Sequence, residues 1–185
     1  AGAIIDALHL RSSYEKRHSI EVSKLCGEIG AYMNLSELEI NRLKRAGYLH
    51  DIGKITFNDR LLSLQEYTEE EYLEMNQHAI VGYRILNLFD DTLDLAEHIY
   101  SHHENWDGSG YPRGLKGIQI SLIARIVAIA ENYERELNRG SAPLAERKKK
   151  ALLKIKEGSG KRFDPEIVKL FIQMIEEKEA NRRKS

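Results

Sequence analysis

Hydrophobic residues recur along most of this chain at intervals of three and four positions, which is the spacing of one face of an α-helix. In the first long predicted helix, from about residue 3 to residue 33, Ile20, Leu25, Ile29 and Tyr32 mark the expected buried side. No convincing set of strands with alternating apolar and polar residues is present, and the chain contains three prolines. The pattern therefore predicts an all-α protein.

Two capping-box patterns predict where internal helices begin. Ser36 is followed three residues later by Glu39, and Thr68 is followed by Glu71, so each pair can satisfy free N–H groups at a helix start. Gly53 is expected to end the helix that Ser36 begins, because glycine tolerates the left-handed backbone of a C-terminal cap. The predicted helices cover about residues 3–33 with a break near 11–13, 36–49, 60–64, 68–89, 93–104, 121–138, 143–157 and 165–179.

The charge of the chain is nearly balanced, with 28 basic and 29 acidic residues and a formal net charge of -1. This balance gives no overall field that would attract a nucleic acid or a membrane surface, so neither is expected as a partner. The single cysteine, Cys26, excludes an internal disulfide, fits a reducing compartment and is expected in the core.

Length and hydropathy predict a single cytoplasmic domain. A chain of 185 residues has the usual size of one domain, and no segment approaches the roughly 20 apolar residues of a membrane span. The chain begins with Ala1 rather than Met, so residues 1–185 are expected to be one domain from a longer regulatory protein.

Five of the seven histidines fall on four predicted helices, and a helix bundle could bring them together with Asp51 at its centre. These five are His18, His50, His78, His102 and His103. Imidazole nitrogens and a carboxylate, without a thiolate, suit iron, manganese, nickel or zinc. The spacing alone leaves open an ordinary role for each histidine, as a half-buried residue bonded to a carbonyl. His9 has no such neighbours and is expected at the surface.

Two motifs carry a family resemblance. Residues 50–54 read His-Asp-Ile-Gly-Lys, and residues 102–117 read His-His-Glu-Asn-Trp-Asp-Gly-Ser-Gly-Tyr-Pro-Arg-Gly-Leu-Lys-Gly. They resemble the HD and GYP signatures of the HD-GYP family, a bacterial subgroup of the HD-domain metallophosphohydrolases. The similarity covers nearly the whole chain, since it extends to residues 14–18, 71–82, 120–130 and 160–165.

The resemblance implies an HD-domain helical bundle with a GYP loop and two divalent metal ions, usually iron or manganese. By position, the metal ligands would be His18, His50 and Asp51 at one ion, His78, His102 and His103 at the second, and Glu131 in place of a family aspartate. Asp51 would bridge the two ions. A cation pair of this kind can activate a water molecule and neutralise the charge of a phosphodiester.

The resemblance also implies that the substrate is cyclic di-GMP or a related cyclic dinucleotide. Asp51 and Lys54 would be the catalytic residues, with Lys54 stabilising charge on the phosphate. The implied substrate contacts are Lys54, Gly110, Tyr111, Pro112 and Arg125. Arg125 could equally pair with a core carboxylate, and Trp106 could equally anchor the loop. The expected protein partners are a GGDEF-type domain at the GYP loop and a second copy of the chain.

Departures from the family pattern bear on function. The family sequence Ala-Asp-x-x-Asp-Ala-Leu is replaced by Ala-Glu-Asn-Tyr-Glu-Arg-Glu at residues 130–136, and the Arg-Pro-Tyr segment that follows is replaced at residues 138–142. Tyr14 stands where three-metal members have glutamate, so two metals are expected rather than three. These changes raise an alternative function, a degenerate domain that binds a cyclic dinucleotide or a protein without turnover. A general nucleotide phosphatase is disfavoured by the GYP signature.

Overall fold

Ten α-helices and no β-sheet make up the computed structural model, which describes all of residues 1–185. This architecture confirms the predicted all-α fold class. The helices are α1 (Gly2–Arg11), α2 (Ser13–Tyr32), α3 (Glu37–Leu49), α4 (Asp59–Ser63), α5 (Glu69–Asn76), α6 (His78–Leu86), α7 (Leu93–Tyr100), α8 (Leu122–Leu137), α9 (Leu144–Glu157) and α10 (Pro165–Lys184). None of the ten combines the length and the apolar character needed to cross a membrane.

The helix starts follow the side-chain caps that the sequence provides. The Ser36 hydroxyl accepts a hydrogen bond from the N–H of Glu39, and Thr68 accepts one from Glu71. Each glutamate accepts the backbone N–H of its capping residue in return, so both predicted capping boxes are confirmed. Asp164 caps α10 by accepting hydrogen bonds from the first backbone N–H groups of that helix.

Helix α8 lies at the centre of the bundle, in contact with α2, α3, α7, α9 and α10. Its buried face includes Ile126, Ile129 and Tyr133. Cys26 on α2 and Leu43 on α3 are fully buried in the same core, which confirms the predicted position of Cys26. Because α8 packs against so many helices, the polar residues on its remaining face are held at fixed positions inside the bundle.

Apart from α10, which continues to Lys184 beyond its predicted end, the helix boundaries agree with the sequence pattern except at two places next to predicted metal ligands. The expected break in the first helix occurs at Ser12. The helix expected over residues 68–89 is divided at Gln77 into α5 and α6, and the helix expected over residues 93–104 ends at Tyr100. Both deviations lie next to histidines, so the helix ends help to place those side chains.

Two side chains lie elsewhere than the pattern predicts. Ile20, expected on the buried side of α2, is 45% exposed, because the buried face of that helix is centred on His18 and Val22. His9, expected at the surface, is buried, and its Nε2 lies 3.2 Å from the hydroxyl of Ser19. On helix α2, His18 rather than Ile20 is therefore directed towards the interior.

Gly53 does not end α3 in a left-handed conformation, as the sequence pattern predicts. Helix α3 ends at Leu49, and Gly53 lies in a 3₁₀ turn that spans Ile52–Thr56. A Cβ atom on Gly53 would be 1.9 Å from the carbonyl oxygen of His78 and 2.7 Å from the backbone nitrogen of Gly82. The turn therefore packs directly against the backbone of α6, and glycine is required for this close approach.

We expect Gly53→Ala to destabilise the protein by about 3 kcal/mol, because the turn or α6 must move to accommodate the added methyl group. Urea unfolding followed by circular dichroism measures the change. Gly2→Ala is the matched control, since nothing lies within 4 Å of the corresponding Cβ position in α1. Equal stability of the two variants would contradict the close contact.

Candidate metal centre

Three histidines reach the centre of the bundle through the same local arrangement. Each follows a helix end or break, and its Nδ1 lies close to the carbonyl oxygen three residues earlier. The pairs are His50 with Gly47 (2.6 Å), His102 with Ile99 (2.5 Å) and His78 with Met75. A carbonyl oxygen only accepts hydrogen bonds, so each Nδ1 carries a proton and each Nε2 is the nitrogen that faces the centre, where it can bind a metal ion in its deprotonated form.

His18, His50 and Asp51 form the first of two clusters, and all three are buried. The Nε2 atoms of His18 and His50 are 3.2 Å apart. The Oδ2 atom of Asp51 lies 3.1 Å from Nε2 of His50 and 3.7 Å from Nε2 of His18. Glu134 accepts the Nδ1–H of His18, so the Nε2 of this histidine also faces inward. The ligand atoms of this cluster are close enough together to hold one metal ion.

His78, His102 and His103 form the second cluster. Nε2 of His78 lies 3.4 Å from Nε2 of His102 and 3.0 Å from Nε2 of His103. Helix α7 ends at Tyr100, so the turn that follows this helix supplies the rings of both His102 and His103. The structure therefore brings all five predicted histidines together in two clusters.

Asp51 lies between the two clusters. Its Oδ2 faces His50, as described above, and its Oδ1 lies 3.2 Å from Nε2 of His78. Neither oxygen makes a hydrogen bond within the protein, although Nζ of Lys54 is 2.9 Å from Oδ2. A buried carboxylate without hydrogen bonds is costly unless a cation takes the open positions. This carboxylate has one ammonium beside it and no hydrogen bond, and together with the flanking imidazole nitrogens it forms a donor set that fits divalent metal ions.

The protonation states of the cluster residues also fit metal binding. Burial and the neighbouring imidazoles lower the pKa of His102 to about 3 and hold the pKa of His103 well below its usual value. Both rings are therefore neutral and keep a lone pair. Burial alone would raise the pKa of Asp51, but His50 and Lys54 hold that pKa well below its usual range. The Asp51 carboxylate is therefore charged and suited to bind a cation.

Glu131, on α8, lies at the edge of the first cluster. Its Oε1 is 4.0 Å from Nε2 of His18 and makes no hydrogen bond. The same carboxylate forms an ion pair with Arg135, one helical turn further along. Arg135 would therefore compete with a metal ion for this carboxylate.

Three charged residues that line the centre received no role from the sequence pattern: Glu15, Glu134 and Arg135. Each is three or four residues from a predicted ligand on the same helix. Glu134 and Arg135 follow Glu131 at these intervals, and Glu15 precedes His18. This helical spacing is the signal that could have found them, because it places side chains on one face.

Lys54 is held by carboxylates of the protein. Its side chain is 4% exposed, and its Nζ lies 2.9 Å from one oxygen of Glu15 and 2.9 Å from one oxygen of Asp51. Burial opposes the charge, but these two carboxylates raise the pKa of Lys54 above its usual value. These contacts of Lys54 are internal to the protein, and its predicted phosphate contact stays a prediction.

The GYP loop folds back against the second cluster. The N–H of Tyr111 donates to the carbonyl of His103 at 3.3 Å, and the two rings stack with centroids 5.1 Å apart. A Cβ on Gly110 would lie 2.4 Å from the backbone nitrogen of Asn105, so glycine permits this return. Gly110, Tyr111 and Pro112 therefore lie beside a cluster of candidate metal ligands, as their predicted substrate role requires.

Arg125 makes its contacts within the core. Its Nη1 lies 2.6 Å from Oδ2 of Asp164, and its Nε donates to the carbonyl of Ile120 at 2.9 Å. Its guanidinium also lies over the ring of Trp106, at 6.0 Å from the centroid. These contacts favour the core-carboxylate alternative for Arg125 over the substrate role, and the anchoring alternative for Trp106.

A helical bundle with two histidine clusters around one buried carboxylate defines a candidate dinuclear metal protein. A family model described as HD domain matches residues 2–167, so the chain belongs to the HD domain family. Membership of this family implies the use of divalent metal, in agreement with the two clusters.

Similar proteins are bacterial phosphodiesterases by name. A cyclic di-GMP phosphodiesterase of Thermotoga maritima is 38% identical over 181 residues, covering 94% of this chain and 49% of that protein. A 3'3'-cGAMP-specific phosphodiesterase 2 of Vibrio cholerae is 30% identical over 177 residues, covering 94% of this chain and 34% of that protein. The chain thus spans about half or less of the length of these relatives. The HD-GYP resemblance of its motifs is confirmed.

A solved structure shares the fold. The crystal structure of a cyclic GMP-AMP specific phosphodiesterase of Vibrio cholerae aligns with a TM-score of 0.71 at 22% sequence identity. The alignment covers 94% of this chain and 48% of that chain. This likeness confirms the HD-domain helical bundle.

We expect Mn²⁺ to raise the melting temperature of the wild-type chain and to have little effect on Asp51→Asn, which lacks the charged ligand shared by both clusters. At free Mn²⁺ 100-fold above its Kd, binding to the folded state contributes about 2.7 kcal/mol per site. Thermal unfolding and metal analysis of the purified protein measure the response. Asp59→Asn is the control, because Asp59 is 84% exposed. The same response to Mn²⁺ in both variants would argue against Asp51 as a ligand.

Proposed function

We propose that this chain is a metal-dependent phosphodiesterase that hydrolyses cyclic di-GMP. The observation that supports this proposal best is the position of Asp51. Its two buried oxygens face different histidine clusters, at 3.1 Å from Nε2 of His50 and 3.2 Å from Nε2 of His78. A carboxylate in this position suits a shared ligand of two divalent ions.

The proposed ligands follow the two clusters. One ion would be held by His18, His50 and Asp51, and the other by His78, His102, His103 and the shared Asp51. A donor set of nitrogen and oxygen without thiolate suits iron or manganese, with nickel and zinc as alternatives. When bound, such ions activate a water molecule and neutralise charge on a phosphodiester. Glu131 would complete the first site by exchanging its pairing with Arg135 for the metal.

Neighbouring side chains orient the proposed ligands. Lys54, held in turn by Glu15, fixes the orientation of Asp51, and we infer that it acts as a positioning residue. Glu134 keeps the Nε2 of His18 directed inward. Because the cluster residues are buried, little bulk water competes for their lone pairs, and the centre is organised before a metal or a substrate arrives.

The relatives support a cyclic dinucleotide as the substrate. The Thermotoga maritima relative, 38% identical, is named for cyclic di-GMP, and the Vibrio cholerae relative, 30% identical over the same 94% of this chain, is named for cGAMP. Both compounds contain purine bases, and aromatic rings stack on such bases. Tyr111, stacked on His103 between Gly110 and Pro112, supplies an aromatic ring beside the second cluster. These three loop residues are our proposed substrate contacts.

Other features stay predictions. They are the single-domain organisation of residues 1–185 within a longer regulatory protein, a cytoplasmic location, a homodimer, and a GGDEF-type partner at the GYP loop.

A second candidate function is a binding module without turnover. The observation that favours it is the ion pair between Glu131 and Arg135, which engages a carboxylate that the first metal site would use. If this ion pair persisted in the presence of metal, the first site would be incomplete. Such a domain would still bind a cyclic dinucleotide through the GYP loop.

We expect the wild-type chain, loaded anaerobically with Fe²⁺ or Mn²⁺, to convert cyclic di-GMP to a linear product. Asp51→Asn should reduce turnover to the level of a metal-free sample, because the ligand shared by both clusters is weakened. Chromatography of the nucleotide products measures both, with Asp59→Asn as the control. Wild-type turnover in Asp51→Asn would exclude the proposed role of Asp51, and a fully loaded but inactive wild type would favour the binding module.

We expect Glu131→Asp to leave the turnover of cyclic di-GMP at a similar level, since Glu131 already lies 4.0 Å from Nε2 of His18. Steady-state kinetics and metal analysis of this variant and the wild type provide the comparison. A large gain in metal content and turnover would show instead that glutamate weakens the first site, as the degenerate alternative requires.

A further inference from the structure

Arg135 is a cation at the edge of the centre that no predicted role includes. Its guanidinium forms an ion pair with Glu131, and its side chain is 38% exposed. A guanidinium carries five N–H donors, and Glu131 is the one ion-pair partner that the structure gives it. Arg135 therefore keeps donors that can face a bound molecule.

Arg135 lies where the first cluster meets the solvent, a place we call the opening of the centre. The side chain of Glu131 is 3% exposed, whereas that of its partner Arg135 is 38% exposed, so the ion pair runs from the interior towards the solvent. The ring of Tyr14, which stacks on the ring of His18, is also exposed.

Other cations in this part of the bundle differ from Arg135 in exposure or in partner. Lys54 contacts the candidate ligand Asp51, but its side chain is 4% exposed, and Arg17 pairs with Glu134, which is not a candidate metal ligand. Arg135 is partly exposed and its partner, Glu131, is a candidate metal ligand. A metal ion that takes the Glu131 carboxylate would release Arg135 beside the same ion.

We propose that Arg135 binds a non-bridging phosphate oxygen of the substrate. This inference rests on the proposed phosphodiesterase function, and it assigns to Arg135 the anion contact that was expected of Lys54. A guanidinium presents parallel N–H donors that match the geometry of a phosphate group. Hydrogen bonds between charged partners are also stronger than those between neutral groups. In the free protein, Glu131 holds the guanidinium at the opening.

The test is calorimetric titration of inorganic phosphate into Mn²⁺-loaded protein. We expect Arg135→Ala to bind phosphate at least about tenfold more weakly than the wild type, which is the loss expected for one charged hydrogen bond. Arg135→Lys should recover part of the affinity, and manganese per chain should stay unchanged. Arg139→Ala is the matched control, since Arg139 lies four residues further on and is 56% exposed.

Unchanged phosphate affinity in Arg135→Ala would overturn the inference. A parallel loss of manganese and phosphate would also overturn it, because Arg135 would then act only by supporting Glu131. Circular dichroism reports whether each variant is folded. If Arg135→Ala is not folded, Arg135→Gln gives the same comparison, because it keeps a polar side chain but removes the charge.

This experiment separates the inference from the proposed function. Phosphate binding that depends on Arg135, in a protein that does not cleave cyclic di-GMP, would support the inference and defeat the proposed substrate. Cleavage of cyclic di-GMP with unchanged KM and phosphate affinity in Arg135→Ala would support the proposed function and defeat the inference. A rise in KM that accompanies weaker phosphate binding would support both.

Discussion

The structure depends on the burial of one carboxylate, that of Asp51, among five imidazoles and one ammonium. Burial of an unpaired charge is unfavourable, and here one ammonium, that of Lys54, is shared by two buried carboxylates, Asp51 and Glu15, while the neutral rings of His102 and His103 present lone pairs. The buried negative charge therefore exceeds the positive charge beside it, and the centre can accept further cations. We interpret the electrostatic imbalance as the physical reason why the fold can recruit divalent metal.

The orientation of the imidazoles comes mainly from the backbone. His50, His78 and His102 each donate from Nδ1 to a carbonyl three residues earlier, so local chain geometry selects the tautomer. A long-range side-chain contact does this for His18, through Glu134 on α8. Because α8 is also the most widely packed helix of the bundle, the first cluster depends on tertiary packing more than the second one does.

The sequence predicted the fold class, the capping boxes and the histidines that converge. These features follow from short-range patterns and from two long motifs. It did not predict where Lys54 and Arg125 would find their partners, because a charged residue chooses among carboxylates that only tertiary packing brings near. The same limit explains His9, whose partner Ser19 lies on the next helix. Gly53 was misassigned because its close neighbour, the backbone of His78, is distant in sequence.

The contact between Gly53 and His78 has a consequence for the whole centre. The contact joins the turn after Asp51 to the first residue of α6, which is His78, a member of the second cluster. Main-chain packing therefore sets the distance between the two backbone segments that carry Asp51 and His78. Glu131 lies on α8, outside this contact, so the residue at that position can vary while the distance between the two segments is conserved. The side chains at the edge of the centre can therefore change without a change in the backbone that supports the two clusters.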